Sequence, residues 1–335
     1  MKGIILCAGQ GTRLRPYTHS IPKTLIPVLN KPILLRCIES LLESGITDIG
    51  VVIRPDQKII VDYIESIQDT VKVTVLYQME ARGIAHALLS AKKFLGEDSF
   101  IVLLGDNLFT IRIDKLQQIF AANDGAVLLT PVSNPQDFGI AEVSNQHIVK
   151  LEEKPAHPKS NLAVIGMYAF NNKIFDAIEQ ITPSRRGEYE ITDAIQQMIS
   201  NGCRIASRVT KLPFYDIGTP DRWLDANKSL LSRQANQIGS NNIFENCTLK
   251  GSVVIGDGCT FKNVSIGPNV TIGNNCTIHN GTLSDSISLD NTYLNFSGLH
   301  VKSSIFGRNT RFIASSSNTV STLLGDESIV HFHSS

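Results

Sequence analysis

Gly3-Ile4-Ile5-Leu6-Cys7-Ala8 runs directly into Gly9-Gln10-Gly11-Thr12-Arg13-Leu14-Arg15-Pro16, with Pro22-Lys23 close behind. The first six residues are apolar or small and predict a buried strand. A strand that ends in a glycine-rich turn presents free backbone N–H groups, and such groups bind anions. Arg13, Arg15 and Lys23 then bring cations into one short segment. That combination suits a triphosphate whose charge must be neutralised while a bond to it breaks. Two other glycine motifs do not fit. A dinucleotide fingerprint needs a third glycine where Leu14 stands, and a P-loop needs a lysine after its second glycine. A purely structural turn with two glycines is the remaining alternative, and it has no use for the three cations.

Working outward, strands and helices alternate through the first two-thirds of the chain. Gly50–Ile53, Val73–Tyr77 and Phe100–Leu104 read as strands. Ile33–Leu42 and Ile84–Leu95 have helical spacing and stop at Gly45 and Gly96. Further strands are expected at Ala126–Val132, Gly139–Val143 and Ala163–Phe170. Helices are expected at Lys173–Ile181, Ile191–Ile199 and from Asp221 to about Leu231. This rhythm predicts a Rossmann-like α/β domain with a mixed, mostly parallel sheet covered by helices on both faces. Ligands of such sheets bind beyond the carboxyl ends of strands, where both Gly9–Arg13 and Gly105–Asn107 lie.

After about Ile238 Gly, Asn, Ser, Thr and Val replace the helical pattern. Apolar residues recur at Ile243, Leu249, Ile255, Phe261, Ile266, Ile272, Ile278, Leu283 and Leu289, mostly in steps of six with two steps of five. Three steps make a coil of about seventeen residues, which predicts a triangular parallel β-helix. Four residues after each stands a mostly small side chain: Cys247, Val253, Cys259, Ser265, Val270, Cys276 and Thr282. Three cysteines thus fall where small inward groups are needed, and cysteine packs as a small hydrophobe. Beyond Tyr293 the period weakens, which predicts one more irregular coil or a capping strand to about Phe332. The expected domains are residues 1–237 and 238–335.

Lys and Arg number 31, as do Asp and Glu, a balance that argues against nucleic acid or an anionic membrane as partner. The six cysteines form no C-x-x-C pair, which argues against zinc or redox ligation. No apolar run has the length of a membrane span, and the short N-terminal run does not make a signal peptide. A cytoplasmic protein is expected.

Asp106, in Leu104-Gly105-Asp106-Asn107, follows a buried strand. A carboxylate fixed there suits Mg²⁺, which takes one or two carboxylates plus phosphate oxygens. Asp216, in Tyr215-Asp216-Ile217-Gly218, is the candidate second ligand. Either could instead cap a turn. In Glu152-Glu153-Lys154-Pro155, Glu153 can accept from sugar hydroxyls and Lys154 can hold a phosphate as a point charge. A solvated charge cluster is the alternative. Glu188, in Arg186-Gly187-Glu188-Tyr189-Glu190, is a further candidate. No Gly-x-Ser-x-Gly elbow is present. These stations describe nucleotidyl transfer. An incoming phosphate monoester needs no general base, so catalysis is positioning and charge neutralisation.

The motifs G-x-G-T-R-L-x-P-x-T-x-x-x-P-K at Gly9–Lys23, L-G-D-N at Leu104–Asn107, E-E-K-P at Glu152–Pro155 and R-G-E-x-E-I-T-D at Arg186–Asp193 closely resemble the sugar-1-phosphate nucleotidylyltransferases. The resemblance covers about residues 1–235. It is nearest to the long-form glucose-1-phosphate thymidylyltransferases, which carry a C-terminal left-handed β-helix. It implies transfer from dTTP, or UTP, to a hexose 1-phosphate with Mg²⁺ as cofactor; the flat, exposed coil faces of the β-helix separately predict a homo-oligomer. The resemblance assigns Arg13, Lys23 and Lys154 to catalysis. Leu6, Ala8, Gly9, Gly11, Thr12, Arg13, Gln78, Gly83 and Asp106 fall to the nucleotide. Asn107, Gly139, Glu153, Lys154, Gly166 and Glu188 fall to the sugar phosphate, and Asp106 and Asp216 to the metal. Cys7-Ala8 stands where short forms carry Ala-Gly, and Thr24 where they carry Gln. A non-catalytic subunit of the same architecture is one alternative, and an acyl-transferring β-helix using His279 or His300 is another.

Overall fold

The N-terminal apolar run forms the strand Lys2–Leu6, hydrogen-bonded in parallel to Ile49–Ile53 on one side and Phe100–Leu104 on the other. A computed structural model describes residues 1–68, 71–315 and 318–333. These form two compact units, Met1–Gly9 with Ile33–Asp216, and Gln10–Pro32 with Ile217–Ser335.

The first unit is built on one sheet. Its order is Val73–Tyr77, Ile49–Ile53, Lys2–Leu6, Phe100–Leu104, Leu162–Phe170, Gly125–Pro131, Ile205–Val209, His147–Glu153, Gly139–Ser144. The first four strands are parallel. Leu162–Phe170 then runs antiparallel to both neighbours, so the sheet is mixed. Successive side chains of a strand point to opposite faces. Ile4 and Ile5 alternate in this way and both are fully buried, as are Ile101 and Val102. Both faces are therefore covered, which explains the near-continuous apolar strands. One core joins Ile4, Val52, Val102 and Tyr168 to helices that present Ala85, Leu88, Ile174, Ile178, Ile191 and Ile195.

Several local features differ from expectation, among them a helix at Asp114–Phe120 and a strand at Ile205–Val209, neither of them expected. The helix expected over Ile84–Leu95 is two, Ile84–Leu89 and Lys92–Leu95. Ser90 and Ala91 donate to the carbonyls three residues back, a tighter turn that interrupts the α-helix. A helix at Lys58–Ser66 went unread because its β-branched run looks like a strand, yet it buries Ile60 and Ile64 one turn apart. Glu152 and Glu153 end a strand, His147–Glu153, that returns from Gly139–Ser144 through Asn145 and Gln146. Both turn residues have positive φ, 48° and 63°, the backbone of a type I′ hairpin.

In the second unit a helix, Pro220–Leu231, starts at Thr219, whose hydroxyl accepts from the Arg222 N–H at 3.3 Å. The parallel β-helix follows. Thr260, Thr277, Tyr293 and Arg311 stack on one face, Val253 on Val270 on the second, and Thr248, Ser265, Thr282 and His300 on the third. The stacked parallel strands are those of a left-handed β-helix. Its corners carry asparagines in left-handed backbone, among them Asn246, Asn263 and Asn280, with φ between 52° and 59°. Asparagine tolerates that region better than most residues. Asn246 Nδ2 donates to Asn263 Oδ1 at 2.9 Å and Asn263 to Asn280 at 3.4 Å, a ladder down one edge.

The inward pattern departs from the reading at both ends and twice between, at Ser265 and at Thr282, which stacks on it and is likewise only half-buried. Ile243, on the first coil, is 61% exposed, because it stacks on one neighbouring coil only. After Phe261 the buried small residue is Val264 rather than Ser265. The five-residue step to Ile266 shortens that face and moves the inward position back by one. Beyond Tyr293 the coils continue, through His300–Lys302, Ile305–Phe306, Arg311–Ser315 and Leu323–Leu324 to Ile329–His333. Phe296, Phe306 and Phe312 fill their interior and disguise the period.

Candidate active site

In the first unit Leu6, Ala8, Gly9, Asp106 and Asn107 lie at the carboxyl ends of Lys2–Leu6 and Phe100–Leu104. Gly105 donates its N–H to the Leu6 carbonyl at 2.9 Å. A Cβ at Gly105 would lie 2.5 Å from Cys7 Sγ, so only glycine lets the two strand exits approach. Arg54 Nη1 donates to the Ala8 carbonyl at 2.7 Å, and Gln57 Nε2 to that of Cys7 at 3.1 Å. Both carbonyls are thereby occupied. The N–H groups of Ala8 and Gly9 have no acceptor among the described residues. Arg54 and Gln57 were missed in the sequence. Their one signal is polar residues just past the strand Ile49–Ile53.

Asp106, in the turn that precedes Asn107–Phe109, is brought toward Asp216 by strand pairing. Asn107–Phe109 pairs antiparallel with Phe214–Asp216, and Asp216 stands opposite Asn107. Asn107 is buried and donates Nδ2 to the Ile165 carbonyl at 3.0 Å. Beside it Gly166 has φ +78°, and a Cβ there would lie 2.6 Å from Asn107 Nδ2. The strand Leu162–Phe170 shifts register between Val164 and Tyr168 to accommodate this close approach. Burial pushes the Cys37 thiol up to about 12, and the Asp106 charge adds to the effect. Among the described residues no three His, Cys, Asp or Glu side chains converge on a metal position. A carboxylate in the turn before one strand and another at the end of its partner still fit Mg²⁺, whose remaining oxygens come from phosphate and water.

Glu153 lies opposite Gly139 across the hairpin. Its Oε2 accepts from Thr192 Oγ1 at 3.1 Å, and its Oε1 lies 3.5 Å from Arg186 Nη2. Arg186 also holds the buried Glu190 at 2.8 Å and Glu188 at 3.4 Å. Burial, then the Glu190 charge, raises the Glu153 carboxyl above the usual carboxylate range, against the hydrogen bond from Thr192. A Cβ at Gly139 would collide with Thr192 Cγ2. Lys154 follows with φ +43°, its N–H donating to the Phe138 carbonyl at 3.0 Å, and its side chain is exposed. Glu153, Lys154, Gly139 and Glu188 thus fall into one cluster.

Gln78 is buried at the end of Val73–Tyr77, with Nε2 donating to the Gly83 carbonyl at 3.3 Å and lying 3.1 Å from His86 Nδ1. Gly83 has φ +101°, and a Cβ there would meet the Tyr189 carbonyl at 2.6 Å. Gln78 and Gly83 therefore form a second cluster, against Tyr189. Leu6, Ala8 and Gly9 belong to the same unit.

Gly11, Thr12, Arg13 and Lys23 belong to the second unit. Gly11 has φ +64° and its carbonyl accepts from Thr18 Oγ1 at 2.8 Å. A short 3-10 turn, Thr12–Leu14, buries Leu14 and leaves Arg13 and Arg15 exposed. Lys23 and Thr24 are buried, and Thr24 Oγ1 has no partner among the described residues. In the β-helix, His300 Nε2 lies 3.0 Å from Ser284 Oγ, and His279 packs edge-on to Tyr293.

Comparison with known proteins gives the same direction throughout. A family model described as nucleotidyl transferase matches residues 2–233. The low-salt glycan biosynthesis nucleotidyltransferase Agl11 of Haloferax volcanii is 44% identical over 242 residues, 69% of this chain and 66% of that protein. A glucose-1-phosphate thymidylyltransferase of Streptomyces antibioticus is 40% identical over 268 residues, 77% of this chain and 74% of that protein. A Bacillus anthracis crystal structure, assigned as a glucose-1-phosphate thymidylyltransferase and complexed with sucrose, superposes with a TM-score of 0.63. It is 36% identical and spans 68% of this chain and 94% of that one.

Proposed function

The chain belongs to the sugar-1-phosphate nucleotidylyltransferase family, and from that premise we propose that it joins dTTP and α-D-glucose 1-phosphate into dTDP-glucose and pyrophosphate. The observation that carries the choice of substrates is the similarity to the S. antibioticus thymidylyltransferase, which runs through both units.

The proposed roles combine the chemistry of the side chains with what the family resemblance implies. The sugar phosphate oxygen attacks the α-phosphate of dTTP and the bond to pyrophosphate breaks. Arg13 and Lys23 hold the triphosphate and take up the charge that grows on the leaving group. The N–H groups of the Gly9–Thr12 turn bind its oxygens, with Leu6 and Ala8 beside them. Gln78 and Gly83 read the base. Lys154 holds the incoming phosphate as a point charge. Glu153 accepts from sugar hydroxyls, and Gly139, Gly166, Asn107 and Glu188 shape the space around the ring. Asp106 and Asp216 would hold Mg²⁺, which supplies charge neutralisation at the phosphates when bound. The β-helix is read as an assembly module of a homo-oligomer, supported by the exposed apolar groups of Ile243, Phe244 and Ile329 at its ends.

Pyrophosphate release tests this reading. Each nucleoside triphosphate is paired with each hexose 1-phosphate in Mg²⁺ buffer. Release fastest with dTTP and glucose 1-phosphate is expected, and Asp106→Asn should remove all but about a hundredth of it while melting normally. Preference for UTP or another sugar would reassign the substrates. No release with any pair would overturn the activity.

A further inference from the structure

The segment that carries Arg13 and Lys23 is built into the second unit by contacts to residues distant in sequence, with hydrogen bonds that span from 196 to 306 positions. Tyr17 is fully buried, and its hydroxyl donates to the Ile305 carbonyl at 3.1 Å. Its ring meets Trp223 edge-on at 5.4 Å. Ser20 Oγ donates to Asp326 Oδ2 at 2.8 Å, while Asp326 Oδ1 accepts the Arg308 N–H at 2.7 Å. Pro16 rests on Gly325, where a Cβ would come within 3.0 Å of it. At the far end of the segment Trp223 Nε1 donates to the Pro27 carbonyl at 2.8 Å, and Asn30 Nδ2 to that of Ile272 at 2.6 Å. Asn227 Oδ1 accepts from both the Leu29 N–H and Thr271 Oγ1. Beside the first anchors a cleft of about 640 Å³ opens, lined by Pro16, His19 and Ser20 and by Arg308 and Glu327. The hold on this part of the segment therefore combines the buried Leu14, Tyr17 and Ile21 with a few discrete hydrogen bonds at the rim of the cleft.

We infer that the β-helix is the positioning element of the triphosphate-binding segment, with Tyr17, Ser20 and Asp326 as positioning residues that set the conformation from which Arg13 and Lys23 act. The inference rests on the triphosphate role proposed above for that segment. Its logic is preorganisation. If the binding conformation is populated only in part, apparent affinity falls by that fraction, with no contact to the ligand lost. Each anchor hydrogen bond is of the size that moves such a population about five- to tenfold.

The test uses the full chain and inorganic tripolyphosphate, a probe that requires neither base nor turnover. Ser20→Ala, Tyr17→Phe and Gly325→Val are compared with wild type by calorimetric affinity, by hydrogen exchange over residues 10–32 and by steady-state kinetics. Each variant should weaken tripolyphosphate about five- to tenfold and raise the nucleotide KM in step, with the sugar-phosphate KM unchanged. Exchange over 10–32 should quicken, and Ser20→Thr, which keeps a hydroxyl, should restore both. A general loss of stability would move both KM values and would not be rescued by threonine. Variants that bind tripolyphosphate as wild type does, or a wild type that does not bind it, would overturn the inference. Wild type that binds tripolyphosphate with the predicted variant pattern but releases no pyrophosphate would leave the positioning intact and sink the proposed reaction instead.

Discussion

Glu153 sits against the preference of its surroundings. Burial and the neighbouring Glu190 charge favour its protonated form, and Thr192 and Arg186 offset them only in part. Since the folded value is raised, the stability this group contributes is complete below the ordinary carboxylate range. It is lost as pH rises through the elevated folded value. Glu153→Gln should therefore stabilise the fold at pH 8 and change it little at pH 4, read from urea midpoints at the two pH values. The same variant should lower kcat/KM for the sugar phosphate by about ten- to a hundredfold, since a hydrogen bond to a charged acceptor is lost. Such a cost in stability is what the site role proposed for Glu153 predicts. In the sequence Glu153 and Lys154 were legible as a charged pair before a proline. Their setting opposite Gly139 was not, because Asn145-Gln146 lacks the glycine that usually marks such a hairpin. Gly105 and Gly166 show the same limit, because the atoms that forbid a side chain there, Cys7 Sγ and Asn107 Nδ2, come from distant segments.

The elements were legible where one periodicity acts alone. The strand Phe100–Leu104 falls where its apolar run puts it, since both faces of the sheet are buried there, and the edge strand Val73–Tyr77 falls where its β-branched run does although it is half-exposed. The β-helix repeat was legible for a related reason: each coil repeats one pattern, and the corner asparagines mark its turns. Its irregularities were not. Val264 replaces Ser265 as the inward residue, and three phenylalanines fill the later coils. The cysteines follow the packing role. Cys259 is fully buried, its Sγ donates to the Gly273 carbonyl at 3.2 Å, and it accepts the Cys276 N–H at 3.4 Å. All six cysteines are free. Cys259→Ala should cost about 1–2 kcal/mol by denaturant titration, from a small cavity and a weak bond, and leave turnover unchanged. A loss of turnover at full stability would give this coil a part in the chemistry.

For the whole molecule, the chain order of the reading and the grouping of residues differ in kind. Motif spacing along the sequence pointed to Gly9–Lys23 as one phosphate-binding stretch. Its grouping by contact, with Gly9 in the first unit and Gln10–Pro32 in the second, rests on pairs such as Tyr17 with Ile305 that no local pattern encodes. Among the described residues no helix is long and apolar enough to cross a membrane. What unites the account is a reaction in which the sugar phosphate is the nucleophile and pyrophosphate the leaving group. Glucose 1-phosphate carrying ¹⁸O on its phosphate tests that claim most directly, with the products of its reaction with dTTP weighed by mass spectrometry. The account predicts dTDP-glucose that retains all of the label and pyrophosphate that carries none. Label in pyrophosphate, or dTTP consumed without labelled dTDP-glucose, would contradict it.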